Sequence, residues 1–357
     1  MDFKKYKIEF LNWLRDLQSK DFSKIDIKTL KKITKVVVIF LFLFLAYSFF
    51  QVYVPFNPMS HETITYTVQK GWGNDDIAKE LKSLGMIRSV YFFRFYTIVS
   101  FNHSELMAGK YTISPNMSIY KIVKKMANGD MIKDRFVVYE GWNVSDIGEY
   151  LESRELCTKE DFIESTKEDY SSEFKFLENK PKDVSLEGYL FPDTYEISEG
   201  ETCQDIIKTM LANFEKKLTP EIQAEIRSQD KTIFDIITMA SLLEKEVKTL
   251  EDKKIVSGIL WKRLDIGMAL QLDSTVNYIT GGNDPSVSIK STQIDSPYNT
   301  YKYPGLPKGP ISNPGMDSIM AALEPTESAY WFYLSDGTTH FSRTLEEHNA
   351  NKAKYLD

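Results

Sequence analysis

Nineteen consecutive residues without a charge, Val36 to Val54 (VVVIFLFLFLAYSFFQVYV), constrain this chain more than any other feature. A helix of that length rises about 28 Å, close to the hydrocarbon thickness of a bilayer. Ser48 and Gln51 are its only strongly polar residues. A helix apolar on every side is an unusual core element for a chain of this size, so the segment reads as membrane-spanning. A cleaved signal peptide fits less well, because 35 residues precede the run and no small-residue cleavage pattern follows. Residues 1–35 hold ten Lys/Arg against five Asp/Glu, with Lys31, Lys32 and Lys35 beside the apolar run, whereas residues 55–357 hold 34 against 46. The positive-inside rule then puts the N-terminus in the cytoplasm and everything after Pro55 outside. Within the tail, the amphipathic run FKKYKIEFLNWLRDLQ (3–18) suits an inner-leaflet helix, a contact to a cytoplasmic partner or a solvated tail equally well.

The 357 residues leave room for two or three domains, and 42% hydrophobic with 27% charged residues describes chains that build cores. A net charge of −7 argues against a nucleic-acid partner. Cys157 and Cys203 cannot make a disulfide framework or a four-ligand zinc site, and they read as two unrelated thiols rather than one bridge. With four histidines and no HExxH, no metal and no cofactor is expected. No phosphate-cradling glycine loop or nucleophile elbow is present, which disfavours kinases and serine hydrolases.

Between about 60 and 200 the chain echoes itself. Val68-Gln-Lys-Gly-Trp-Gly-Asn-Asp-Asp-Ile77 precedes AKELKSLG, and Val138-Tyr-Glu-Gly-Trp-Asn-Val-Ser-Asp-Ile147 precedes GEYLESRE. Weaker versions begin at Ile113 and Ile197. Each reads as a short strand, a turn and a helix opened by a polar cap. Such units resemble LysM-type modules, which bind N-acetyl sugars; a packing scaffold without ligand has the same spacing. Trp72 and Trp142, beside the turn glycines, fit a sugar-stacking ring or a core plug.

The region from Ser185 onward carries the chemistry. Ile233 to Val247 (IFDIITMASLLEKEV) places Ile233, Ile236, Ile237, Ala240, Leu243 and Val247 on one helical stripe, with Glu244 and Glu246 on its two flanks. A carboxyl at the rim of a buried face has a raised pKa because desolvation disfavours its charge; two solvated helix-end glutamates are the plainer alternative. The segment SPYNTYKYPGLPKGPISNPG (296–315) is too aromatic for a disordered linker and reads as a rigid loop over a cleft. Tyr330 to Arg343 reads as a hairpin turning at Asp336-Gly337, with a last helix from about Leu345.

Taken together, EGYLFPDTY (187–195), MASLLEKEV (239–247), GILWKRLDIGMALQLDSTVNY (258–278), the 296–315 loop and FYLSDGTTHFSRTLEEHN (332–349) resemble the endolytic murein transglycosylase (MltG/YceG-like) family. The resemblance implies an α+β chain: a cytoplasmic tail (1–35), a single transmembrane helix (36–54), a LysM-like subdomain (60–184) and a catalytic domain (185–357). It also implies cleavage of the β-1,4 bond between N-acetylmuramic acid and N-acetylglucosamine in nascent peptidoglycan strands, leaving 1,6-anhydro ends, near the wall-synthesis machinery. The catalytic glutamate maps to Glu246, with Glu244 as next choice. Gln271, Asp273, Tyr298, Asn299 and Tyr301 become candidates for holding the saccharide. Glu187, Asp193 and Tyr195 complete the substrate-binding set by bracing its wall. A hydrolytic muramidase and a non-catalytic wall-binding scaffold are the competing readings.

Overall fold

A computed structural model describes residues 27–100, 106–198, 200–282 and 287–356. The run at 3–18 lies outside the described residues. The chain divides into two units between Ile132 and Lys133.

In the first unit, α1 (Ile27–Tyr53) includes Leu30–Tyr53, which is long and apolar enough to cross a membrane. It is followed by β1 (Ile64–Val68), α2 (Asn74–Ser83), α3 (Val90–Val99), β2 (Gly109–Ile113) and α4 (Ile119–Ala127). The strands pair antiparallel with Tyr66 opposite Tyr111. Their period of two turns Tyr66, Val68, Tyr111 and Ile113 onto a core shared with Leu81, Phe93 and Ile122. Trp72 packs against the edge of that core.

The second unit opens with the same order of elements: β3 (Lys133–Val137), α5 (Val144–Ser153), α6 (Lys159–Ser165), β4 (Thr194–Ser198) and α7 (Cys203–Lys217). β3 and β4 pair antiparallel, Phe136 facing Tyr195 with the rings 5.3 Å apart. Asn143 and Thr202 close capping boxes at the starts of α5 and α7. The four sequence echoes therefore combine in pairs into two strand–helix–helix–strand–helix modules. Trp142 sits between Tyr139 and Tyr150, at 5.1 and 5.3 Å, as a packed ring.

β3 pairs with a strand beyond residue 185, and Phe136 and Ile147 share one core with Ile237 and Leu243. Cys157 and Cys203 are bridged, not unrelated. Cys157 lies just before α6 and Cys203 opens α7, so the packing of those helices brings their Cα atoms to 5.7 Å across 46 residues of chain. Spacing alone does not reveal such a meeting. By chain entropy, closing that loop contributes about 4 kcal/mol. A concavity of about 650 Å³ surrounds this bridge, lined by exposed acids such as Glu152, Glu155 and Asp161, and it excludes Glu246.

The remainder of the second unit comprises α8 (Pro220–Ser228), α9 (Ile233–Glu246), α10 (Leu250–Asp265), α11 (Asp273–Thr280), α12 (Met316–Leu323), the hairpin β5 (Phe332–Ser335) and β6 (Thr339–Ser342), and α13 (Leu345–Tyr355). α9 is the central element, with every residue from Ile236 to Leu243 buried. α10 packs closely because Gly258 admits the Thr326 carbonyl to 2.1 Å from where a Cβ would stand. The hairpin turns through Gly337 at φ +109, as its sequence predicts. The fold is α+β.

Candidate active site

The end of α9 builds the site. Thr232 and Asp235 cap its start reciprocally, and the buried stripe fixes its rotation against α10, α11 and α12. The helix stops at Glu246 because Val247 turns extended and buries its own side chain. Glu246 is thereby carried to the N-terminus of α11. Its Oε1 accepts from Ser274 Oγ at 2.6 Å, and its Oε2 accepts from Tyr333 OH, on β5, at 2.8 Å. No Lys or Arg among the described residues pairs with it directly. Burial raises its pKa above the usual glutamate value; the Ser274 and Tyr333 hydrogen bonds oppose that, and the nearby Asp273 charge reinforces it. Tyr333 is itself raised well above an ordinary phenol by burial and then by the Glu246 charge.

The surroundings hold this carboxyl in place. Asp273 opens α11, and its Oδ1 accepts from Tyr301 OH at 2.5 Å. Gln271 stands two residues earlier in a left-handed conformation, φ +57, with its side chain exposed. Its N–H donates to the Thr300 carbonyl at 3.1 Å, and the Leu272 N–H donates to Thr300 Oγ1 at 3.0 Å. Leu270 and Leu272 point into the core, which leaves Gln271 facing out. A non-glycine residue held there is strained, and such strain gathers at functional sites. Buried Arg263 donates to the carbonyls of Leu270 and Trp331, tying this turn to the hairpin that carries Tyr333.

Glu244, one turn-flank away, has a different environment. Its Oε1 pairs with Lys253 at 3.1 Å, and its Oε2 accepts from the Gly315 N–H at 3.0 Å and Ser318 Oγ at 2.7 Å. Both partners of the ion pair are buried. Three partners, one of them a cation, hold this carboxylate between α9, α10 and α12.

Of the other sequence candidates, Asp273 and Tyr301 gather about Glu246, and Gln271 occupies the same turn. Asn299 does not join them. It is fully buried, its Nδ2 donates to the carbonyls of Thr292 and Ile294 at 3.0 and 2.7 Å, and its Oδ1 accepts from the Tyr301 N–H at 3.0 Å. These contacts shape the loop. Tyr298 packs on Tyr278 at 5.1 Å, and burial pushes its phenol up to about 12. Glu187 is buried, both oxygens accepting from the Val144 N–H at 3.1 and 3.0 Å, with Asn313 Nδ2 donating at 3.1 Å and Tyr278 OH at 3.3 Å. Burial raises it to about 8. Asn213 Nδ2 on α7 donates to Asp193 at 3.0 Å and to Tyr195 OH at 3.2 Å, so both fasten the β4 segment to α7. Glu187, Asp193 and Tyr195 thus brace the packing of the second unit. Ser274, Tyr333 and Arg263 escaped the sequence reading, although all three lie in the motifs that carry the family resemblance.

Residues 66–354 match the model of a family described as YceG-like. The chain is 29% identical over 334 residues to an endolytic murein transglycosylase of Streptococcus pneumoniae serotype 2, covering 85% of this chain and 60% of that one. It is 32% identical over 316 residues to an endolytic murein transglycosylase of Bacillus subtilis strain 168, covering 85% and 87%. A crystal structure of a yceG-like protein from Listeria monocytogenes matches with a TM-score of 0.55 at 31% identity, covering 82% of this chain and 99% of that one.

Proposed function

The chain belongs to the YceG-like family, and from that premise we propose that it is a membrane-anchored endolytic lytic transglycosylase of peptidoglycan. The observation that carries this reading is Glu246: a carboxyl with no cation paired to it among the described residues, raised by burial and steadied by two hydroxyls. In its protonated form it donates to the glycosidic oxygen as the bond from C1 of N-acetylmuramic acid to that oxygen breaks. The C6 hydroxyl of the same sugar then closes on C1, and its proton passes to the Glu246 carboxylate. One bond breaks, one forms, the glutamate ends as it began, and no water is consumed. Tethering of the C6 hydroxyl replaces the second carboxylate that hydrolytic glycosidases use. Burial favours the protonated form of Glu246 and the Asp273 charge adds to it, while Gln271 and Tyr301 hold the saccharide. The strand–helix modules bind glycan as LysM-type units do. The charge asymmetry supports a cytoplasmic N-terminus and an external catalytic unit, placed to cut strands beside the wall-synthesis machinery.

The test is Glu246→Gln on uncrosslinked glycan strands, with the ends identified by mass spectrometry. The variant is expected to fold and to lose anhydro-end formation by at least about 10²-fold, the usual scale of acid–base catalysis. Ends one water heavier from the wild type indicate a muramidase, and binding without shortening indicates a scaffold. Either result overturns the proposal, as does full turnover by the variant.

A further inference from the structure

The first unit leaves one helical face uncovered. α3 reads VYFFRFYTIV, with Phe93 and Thr97 fully buried on one side. Phe92 and Tyr96 turn toward α1, their rings 5.5 Å from Tyr47 and 6.3 Å from Tyr53. The third side, at helical spacing, carries Tyr91, Phe95, Ile98 and Val99, which are 80, 48, 61 and 55% exposed. Arg94, the single charge on the helix, is held by Asp75 at 3.1 Å. Just before α3, Arg88 donates to the carbonyls of Val54 and Phe56 at 2.7 and 3.2 Å and lies 4.9 Å over the Phe50 ring. Arg88, Phe92 and Tyr96 are spaced by four residues, and all meet the end of α1 or the residues just after it, between 47 and 56. α3 therefore crosses the end of α1.

We propose that α3 lies in the outer interface of the bilayer that α1 spans, with Tyr91, Phe95, Ile98 and Val99 seated among headgroups and upper acyl chains. This rests on reading α1 as membrane-spanning. The occupant is lipid because the face is continuous with a segment already in lipid. Tyr47 and Tyr53 lie in the last two turns of α1, Phe92 and Tyr96 lie beside them, and the uncovered residues stand next to these around α3. The junction is rich in tyrosine, with Tyr120 5.5 Å from Tyr53 and 6.2 Å from Tyr96. Rings with an apolar body and a polar tip settle at that depth.

The experiment uses the full chain in phosphatidylethanolamine–phosphatidylglycerol vesicles, its native disulfide kept oxidised. One environment-sensitive fluorophore is attached through Tyr91→Cys, Phe95→Cys or Ile98→Cys, with Leu41→Cys and Glu178→Cys as references. Lipids spin-labelled near the headgroup are expected to quench positions 91, 95 and 98 at least about twofold more than position 178, as for an in-plane helix. Lipids labelled deep in the acyl chain are expected to quench position 41. If positions 91, 95 and 98 behave like position 178 while position 41 is quenched, the anchor stands and the proposal falls. If position 41 is not quenched, the reading of α1 fails as well. Shielding of the three positions from an aqueous quencher without quenching by lipid would assign the face to a protein and also overturn the proposal.

Discussion

Glu244 and Glu246 are separated by one lysine, yet they meet opposite chemistry. Lys253, Gly315 and Ser318 close around Glu244, while Ser274 and Tyr333 leave Glu246 with hydroxyls only. Removing one partner of a buried ion pair strands the other charge, so Glu244→Gln is expected to cost about 3–5 kcal/mol of stability. The fraction that stays folded should keep its turnover per molecule, measured by scaling activity to native signal. A fully folded and inactive Glu244→Gln would exchange the roles of the two glutamates. The EKE segment made this pair visible in the sequence, but the partners that distinguish its members come from 9 to 87 residues away. Asn299, whose type suits a sugar ligand, spends its Nδ2 on the nearby carbonyls of Thr292 and Ile294, which its residue type alone does not reveal.

At the level of elements, periodicity was the reliable guide. The stripe in α9 fixes its ends to within one residue, the Asp336-Gly337 pair locates the hairpin, and the polar caps Ser118, Asn143 and Thr202 mark three of the four strand–turn–helix units, the first opening on Gly73 instead. Pairing was not legible, because which strand joins which, and which cysteine meets which, is decided by packing between elements. The hairpin shows why that matters. It brings Tyr333 to Glu246, and the Tyr333 hydrogen bond lowers a carboxyl pKa that burial has raised. Tyr333→Phe removes that opposition and leaves the ring, so the Glu246 pKa should rise further. The alkaline limb of the kcat/KM profile should then move to higher pH, with kcat reduced by roughly 10-fold as the carboxyl loses one of its two positioning contacts. A profile that stays in place would mean that the hairpin does not tune the acid.

Across the second unit, Glu187 joins the start of α5, the 296–315 loop and α11 through Val144, Asn313 and Tyr278. Its pKa is about 8 in the folded chain, against about 4.3 for an unfolded glutamate. Between those values the unfolded state releases a proton that the folded state keeps. Stability is therefore full below the lower value, declines as pH rises, and levels off above about 8. Glu187→Gln should flatten that decline, read as melting temperature from about pH 5 to about pH 8. It should also cost about 1–3 kcal/mol at the acid end, because an amide sets N–H groups against donors. A decline as steep as in the wild type would locate the titration elsewhere. The covalent tie between Cys157 and Cys203 gives the molecule a history as well as a shape. It closes where thiols are oxidised, so the redox state of the surroundings completes the fold along with the sequence. Material harvested from a reducing cytoplasm carries the same letters with one fastening undone, and its melting curve and catalytic rates describe that unfinished substance.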